Sequence, residues 1–341
     1  MINFQRKKET FTFQDNEGNV IERPTEIRFD PLTNETSRII FHPGLQLSPP
    51  DLTEQAKQTE GKNCPFCEEN LLKMTPQFPE NIAEEGRIFC GEAVVFPNLF
   101  PYSKHNGVTI FSKDHYVRLE QFTEKMIQDA FTAAQNYVNK AGETDSDVKI
   151  ASINWNYLPF AGGSIIHPHI QVMISDEPTN YQSRIAERTA QFREKNGKSY
   201  FLSLCEKEKE LGERWIGQIG EISWFHSFAP KSHNDFIAIF TNAYSIRDLK
   251  EEDWAAFAKG LKGIFAVLNE EGFASFNLLL HGNIKERADE PVHVRLIPRL
   301  TFGYLQTSDM NFFQTLHQEP LSYFVPEETA ERAKKHFANI K

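Results

Sequence analysis

Apolar residues recur along this chain with two alternating periods. Ile88-Phe-Cys90, Ala93-Val-Val-Phe96 and Val108-Thr-Ile-Phe111 are short apolar runs between polar or turn-forming residues, and they predict strands. Phe122, Met126, Ile127, Ala130, Phe131, Ala134, Tyr137 and Val138 then recur at i, i+4 and i+5, which marks one face of an amphipathic helix. Val148–Asn154 and Ile165–Ile174 predict two further strands, so the unit reads strand, strand, helix, strand, strand. Upstream, residues 1–60 are polar and punctuated by proline. Arg28-Phe-Asp-Pro-Leu-Thr33 predicts a strand running into a turn, because Asp30 and Pro31 are turn formers. Residues 45–63 carry few apolar side chains and predict a loop.

The pattern returns after a charged, helix-prone stretch. Phe100-Pro-Tyr-Ser-Lys-His-Asn106 is echoed by Phe228-Ala-Pro-Lys-Ser-His-Asn234, and Val108–Phe111 by Phe236–Phe240. Trp254, Phe257, Leu261, Ile264, Phe265 and Leu268 repeat the helix, and Val292-His-Val-Arg-Leu-Ile297 repeats the Ile165–Ile174 strand. An offset of about 128 residues is too long for a solenoid, and it predicts a duplicated α+β unit. The expected organisation is a first repeat over 1–177, a helical connector over 178–215 and a second repeat over 216–341.

Composition narrows the possibilities. The chain has 341 residues, 40% of them hydrophobic and 29 of them Phe, which supplies a sizeable core and excludes wholesale disorder. A formal charge of −10 argues against a general nucleic-acid coat, although a local basic pocket stays open. The sequence holds no apolar run long enough to span a membrane, and the first residues lack the apolar core of a secretory signal. Four Cys are too few for a disulfide scaffold, so the expected compartment is the cytoplasm.

Two motifs carry chemistry. In Ser164-Ile-Ile-His167-Pro-His169-Ile-Gln171, alternation along a strand would put His167, His169 and Gln171 on one face. Pro168 argues for an edge strand or an abrupt end to pairing. Gly162 and Gly163, just upstream, let backbone approach a ligand. A neutral imidazole is a good nucleophile at pH 7, and an amide can donate to an oxygen on which charge develops. The second motif is Cys64-Pro-Phe-Cys67. It can be a redox pair, two packed thiols or half of a zinc site. With no second Cys-x-x-Cys, the other two ligands of a zinc site would be histidines, with His115 and His167 as candidates.

Read in order, Arg28-x-Asp-Pro-Leu-Thr33, Cys64-Pro-Phe-Cys67, Val95-Phe-Pro-Asn98, Ser112-x-x-His115, Asn156, Ser164-x-x-His-Pro-His-x-Gln171 and His281-Gly282 form a series. In that series the chain resembles the galactose-1-phosphate uridylyltransferases, a branch of the histidine-triad superfamily. The resemblance implies an α+β fold of two histidine-triad-like repeats, with antiparallel half-barrel sheet and flanking helices. It implies that His169 is the nucleophile that becomes nucleotidylated, with Gln171 and Ser164 at the reacting phosphoryl group and Asn156 as a polar support. Asn98 would lie near the nucleoside, and Arg28 would contact phosphate. Cys64, Cys67, His115 and His167 would hold a structural zinc. The substrates implied are a nucleotide sugar and a sugar 1-phosphate, in a homodimer whose partner's C-terminal region completes the sugar site.

The departures are as informative. His293-Val-Arg295 stands where the first repeat has His167-Pro-His169, and a guanidinium cannot attack phosphorus, so one repeat alone is expected to do chemistry. Some relatives bind a second metal here. His281 and His293 remain, but Arg295 replaces a ligand and the acidic partner, assigned to Glu187, does not align well, so this site is expected to be absent or altered. Leu99 stands where the family often has an acid near the nucleoside, and Phe302-Gly-Tyr304-Leu305 lacks the family's sugar-reading carboxylate. The leading expectation is therefore a ping-pong hexose-1-phosphate uridylyltransferase-like enzyme. The alternative is an adenylyl-specific enzyme with the same histidine, an ADP-sugar or dinucleoside polyphosphate phosphorylase. A non-catalytic nucleotide-binding protein is the third reading. His42, His226, His317 and His336 have no constellation around them.

Overall fold

The structure, a computed structural model, describes residues 2–41, 47, 51–285, 290–303 and 306–340. His42 and the Tyr304-Leu305 pair fall outside the described residues. The chain opens with strands β1 (Gln5–Gln14), β2 (Val20–Phe29) and β3 (Thr36–Ile40), then helices α1 (Thr53–Thr59) and α2 (Glu68–Met74). Strands β4 (Ile88–Cys90), β5 (Ala93–Pro97) and β6 (His105–Ile110), helix α3 (Glu124–Thr144), and strands β7 (Ile150–Tyr157) and β8 (His169–Ser175) follow. Helices α4 (Asn180–Asn196) and α5 (Tyr200–Leu211) occupy the charged stretch. Beyond it come β9 (Trp215–Ile219), β10 (Ile222–His226), β11 (Phe236–Phe240), helix α6 (Glu251–Glu271), β12 (Ser275–Asn283) and β13 (His293–Arg299). The tail holds the short strands β14 (Thr301–Phe302) and β15 (Thr307–Ser308), α7 (Phe312–Thr315), β16 (Leu321–Ser322) and α8 (Pro326–Phe337).

Ten strands form one antiparallel sheet in the order β4-β5-β6-β8-β7-β12-β13-β11-β10-β9. The order β6-β8-β7 on one side is mirrored by β11-β13-β12 on the other, and the two sides join where β7 pairs with β12. There Asn156 lies opposite Asn277, and Asn154 opposite Leu279. A second sheet, β1-β2-β3-β16, packs the two chain ends together. The fold is thus α+β with large antiparallel sheets.

Alternation along the strands decides which face is covered. Ile170, Val172 and Ile174 of β8 are fully buried and join the core with α3 and α6. Phe122, Trp155, Phe265 and Phe276 interlock across both halves, with ring centroids 5.0–6.0 Å apart. Gln135 of α3 donates to the carbonyls of Ile246 and Leu249 and accepts from the Trp254 indole at 2.7 Å, so its buried amide is satisfied. On the opposite face, the Cys64–Cys67 turn packs on Val94, Phe96, Val108 and Ile110. Helices α4 and α5 cover Phe225, Ile237 and Ile239. His169 and Gln171 lie between these two covers.

Two sequence expectations shift. The stretch expected to be a loop holds α1 and a 3-10 turn over Gly61–Asn63, because burying Leu52 and Ala56 is enough to seat one short helix. The strand expected from Ile165 begins at His169, where Pro168, which has no N–H to give, ends the irregular segment. Pro168 therefore heads a central strand between β6 and β7, and the edge-strand option is excluded. No helix among the described residues is long and apolar enough to cross a membrane.

A buried ion network fastens the chain ends. Arg28 of β2 and Arg214 before β9, each 1% exposed, converge on Glu327 of α8 at 2.8–2.9 Å. Glu26 and Glu208 complete the network. Burial raises the Glu327 pKa, but the two guanidiniums outweigh it and hold the carboxyl at about 2. Removing it leaves Arg28 with Glu26 and the Phe228 carbonyl, and Arg214 with Glu208 and Glu213, so the loss of its charged hydrogen bonds in Glu327→Ala is expected to lower stability by about 1–3 kcal/mol in urea unfolding. The wild-type contribution is present above the unfolded carboxyl pKa and should fade as pH falls from about 4 towards about 2. A pH series of melting temperatures for wild type and variant, converging at the acid end, checks this.

Candidate functional site

The Cys64–Cys67 turn is built by local hydrogen bonding. Asn70 donates to the carbonyls of Gly61 and Cys64 at 2.9 and 2.8 Å, and Cys67 precedes the first turn of α2. The Gly61 and Phe66 amides point at the two sulfurs at 3.4 Å. His115 arrives from the loop after β6, and His167 from the segment before β8. The ligand atoms of Cys64, Cys67, His115 and His167 all lie within 4.8 Å of one another, and all four residues are buried. Cys67 Sγ is 3.4 Å from His115 Nδ1 and 3.8 Å from His167 Nδ1, and Cys64 Sγ is 3.8 Å from His167 Nδ1.

The outer hydrogen bonds decide the tautomers. His167 Nε2 meets the Ser112 carbonyl at 2.8 Å, and a carbonyl can only accept, so the proton sits on Nε2. The Thr59 hydroxyl donates to the Gln55 carbonyl, which leaves it to accept from His115 Nε2 at 3.0 Å. Both rings therefore turn a bare Nδ1 towards the sulfurs. Metal–sulfur bonds of about 2.3 Å and metal–nitrogen bonds of about 2.0 Å at tetrahedral angles put S and N about 3.5 Å apart, close to the separations observed. Burial pushes the Cys64 thiol up to about 12 and the His167 imidazole down to about 4, and it lowers the His115 imidazole as well. The set could hold a metal ion with four protein ligands and no position left for water.

His169 stands beside this cluster and outside it. Its Nδ1 donates to the carbonyl of His167 at 2.8 Å, so the lone pair is on Nε2. No described residue hydrogen-bonds Nε2, and it is absent from the fully enclosed polar atoms that lack a partner, so it opens outward although the residue is only 8% exposed. Burial lowers the pKa of the ring, which keeps it neutral at pH 7. Phe66 packs edge-on against both His167 and His169. The three side chains expected on one strand face thus divide: His169 and Gln171 share the face of β8, while His167, ahead of the strand, turns into the cysteine cluster.

The segment from Leu158 to Ile166 forms the rim. Leu158 has φ +68°, a conformation leucine rarely adopts, and its carbonyl accepts from the Ala161 and Gly163 amides at 3.1 Å each. Gly163 is required by packing: a Cβ there would lie 2.7 Å from the Asn156 carbonyl oxygen. The lack of a side chain there lets backbone approach backbone. Gly162, at φ +86°, and Ser164 are exposed. The amides of Ser164, Ile165 and Ile166 donate to no described group. Asn156 accepts from Asn277 at 2.7 Å. Asn277 gave no signal in the sequence, because its partners come from the other half of the chain.

Other expected residues are placed elsewhere. Arg28 cannot serve as a phosphate contact: it is 1% exposed and its donors go to Glu26, Glu327 and the Phe228 carbonyl. Asn98 holds the turn between β5 and β6 through Asn106 and the Phe100 amide, with Leu99 exposed beside it. In the second half, Glu187 is exposed and holds Gln191, so it is not the acid near His281. Glu290 is, at 2.8 Å from His281 Nε2, with Gln182 on Nδ1 at 3.2 Å. Arg295 pairs with Asp235, and no second metal-like cluster occurs among the described residues.

Cys67→Ser is expected to abolish stoichiometric metal binding, measured by inductively coupled plasma mass spectrometry. A variant that keeps its metal would show that the cluster is not the site.

No family model matches the chain. A protein of Archaeoglobus fulgidus, described only as uncharacterized, is 34% identical over 324 residues, covering 95% of this chain and 96% of its own. Among solved structures, an ADP-glucose phosphorylase from Arabidopsis thaliana with bound ADP-glucose aligns at TM-score 0.70 and 18% identity, covering 91% of this chain and 99% of its own. A galactose-1-phosphate uridylyltransferase-like protein from the same plant gives TM-score 0.69 at 18% identity, covering 91% and 98%. A uridylyltransferase gives 0.66 at 19%, covering 92% and 99%. The chain therefore belongs to one family with the Archaeoglobus fulgidus protein, and it shares its fold with the ADP-glucose phosphorylase and the uridylyltransferase.

Proposed function

We propose that the protein is a nucleotidyltransferase that works through a covalent nucleotidyl-histidine on His169. The observation that carries this reading is the free Nε2 of a neutral imidazole whose other nitrogen is fixed by hydrogen bonding. In the first step Nε2 attacks the α-phosphorus of a nucleotide sugar. An N–P bond forms, the bridging P–O bond breaks, and its electron pair leaves with the sugar 1-phosphate. In the second step an oxygen of another phosphate opens the N–P bond and returns the lone pair to Nε2. The Ser164–Ile166 amides and Gln171 would carry charge on the non-bridging oxygens, so catalysis rests on positioning and charge stabilisation.

Cys64, Cys67, His115 and His167 would hold a zinc ion, which would supply a fixed crosslink and no chemistry. The first repeat, 1–177, would then carry the reaction, and the second, 216–341, would support it. The chemistry implies a nucleotide sugar and a sugar 1-phosphate as substrates.

The base and the acceptor define two readings. One is uridylyl transfer to a hexose 1-phosphate. Leu99, an exposed apolar residue next to Asn98, favours the other, adenylyl transfer with inorganic phosphate as acceptor, and the similar fold that binds ADP-glucose is consistent with it.

Intact-protein mass spectrometry after exposure to UDP-glucose or ADP-glucose should show a mass gain of one nucleotidyl group. The donor that labels identifies the base. His169→Ala should take no label, lose turnover by several orders of magnitude and keep its metal. Wild-type-like transfer by that variant would end the reading.

A further inference from the structure

We propose that Asn277, contributed by the second half of the chain, is a positioning residue that holds the phosphate-facing rim of the first. The inference rests on the transferase reading above. Asn277 spends both hydrogens of its amide on the rim: Nδ2 donates to Asn156 Oδ1 and to the Ala161 carbonyl, each at 2.7 Å. Its own orientation is not free. Oδ1 accepts from Arg299 at 3.1 Å, and Arg299 is clamped through Nε and Nη2 by Asp309, a carboxylate only 4% exposed. The amide therefore cannot flip without breaking three hydrogen bonds at once.

This places one anchor on each side of the unpaired amides. On the upstream side, Asn277 grips the Ala161 carbonyl, two residues before Gly163. On the downstream side, His167 is seated among the cysteine ligands and held by the Ser112 carbonyl. Ser164, Ile165 and Ile166 are strung between these points, and nothing else in the described protein holds their N–H groups. A row of amides serves an anion only when its direction is set beforehand. The Leu158 conformation, unfavourable for leucine, adds to the need for an external grip. The clamp also gives the second half, where Arg295 replaces the nucleophile, a share in the chemistry of the first.

The test uses Asn277→Asp in the full-length protein. The variant keeps the shape and the Arg299 bond but loses both donated hydrogens and sets a carboxylate against two oxygens. Hydrogen exchange read by mass spectrometry should show faster exchange across 158–167, where the Ala161, Gly162 and Gly163 amides are the bonded ones. The single-turnover rate of His169 labelling should fall about tenfold or more, with the donor KM changed less than kcat. Asn277→Gln, which restores the donor amide, should recover part of the rate. Unchanged exchange across this segment, or labelling at the wild-type rate, would overturn the proposal. Should the wild type itself take no label from any donor, the transferase reading fails, and the exchange result alone decides whether Asn277 grips the rim.

Discussion

One hydrogen bond joins the cysteine–histidine cluster to the histidine beside it. The carbonyl of His167 accepts from Nδ1 of His169, and the ring of the same His167 sits in the cysteine cluster. Whatever fixes that ring also fixes the carbonyl, the tautomer of the next histidine and the direction of its lone pair. An imidazole two residues from His167 is thereby kept out of the cluster, with its Nε2 left without a described partner. Pro168 between them prevents a regular strand from carrying both rings to one side. The buried pair of thiols and pair of imidazoles would be a weak point in the fold if left neutral, and a four-ligand cation would turn it into an anchor.

The two halves of the sheet share an arrangement but not a surface. On the first half a short cysteine turn covers part of the face and sets Phe66 edge-on against His169. On the second, α4 and α5 lie across the corresponding strands, and Tyr200, Phe201 and Leu204 fill the space. Arg295, which matches His169 in the sequence repeat, is paired with Asp235 at 3.2 Å. His281 bonds Glu290, and His293 packs flat on Phe201 with a ring separation of 4.4 Å. Burial and pairing have taken over this region, while Asn277 of the second half reaches across to Asn156 and the Ala161 carbonyl of the first.

Local patterns in the sequence were readable where the cause of structure was local. The i, i+4 spacing of α3 and α6 and the apolar runs of β5, β6 and β11 follow from faces that pack on one core. The Cys-x-x-Cys turn and the two companion histidines were legible because liganding chemistry limits the residue types and the number of donors. The fate of His167 was less so: strand alternation put it beside His169, and the proline decided otherwise. Arg28 shows the same limit. A guanidinium in a motif can meet a substrate or an internal carboxylate, and Glu327, almost 300 residues away, took it.

The amino-acid order alone determined the donor inventory: which thiols, imidazoles and amides exist, and that Arg295 stands in the second half where the first has His169. It also determined the periodicities that make two antiparallel halves and their covering helices. The tertiary structure decided which nitrogen of each histidine is bare, which arginines are locked in carboxylates, and which loop amides stay open. Those outcomes depend on hydrogen-bond partners brought together from distant segments. No spacing within one segment encodes a carbonyl, a carboxylate or an amide arriving from the other half of the chain.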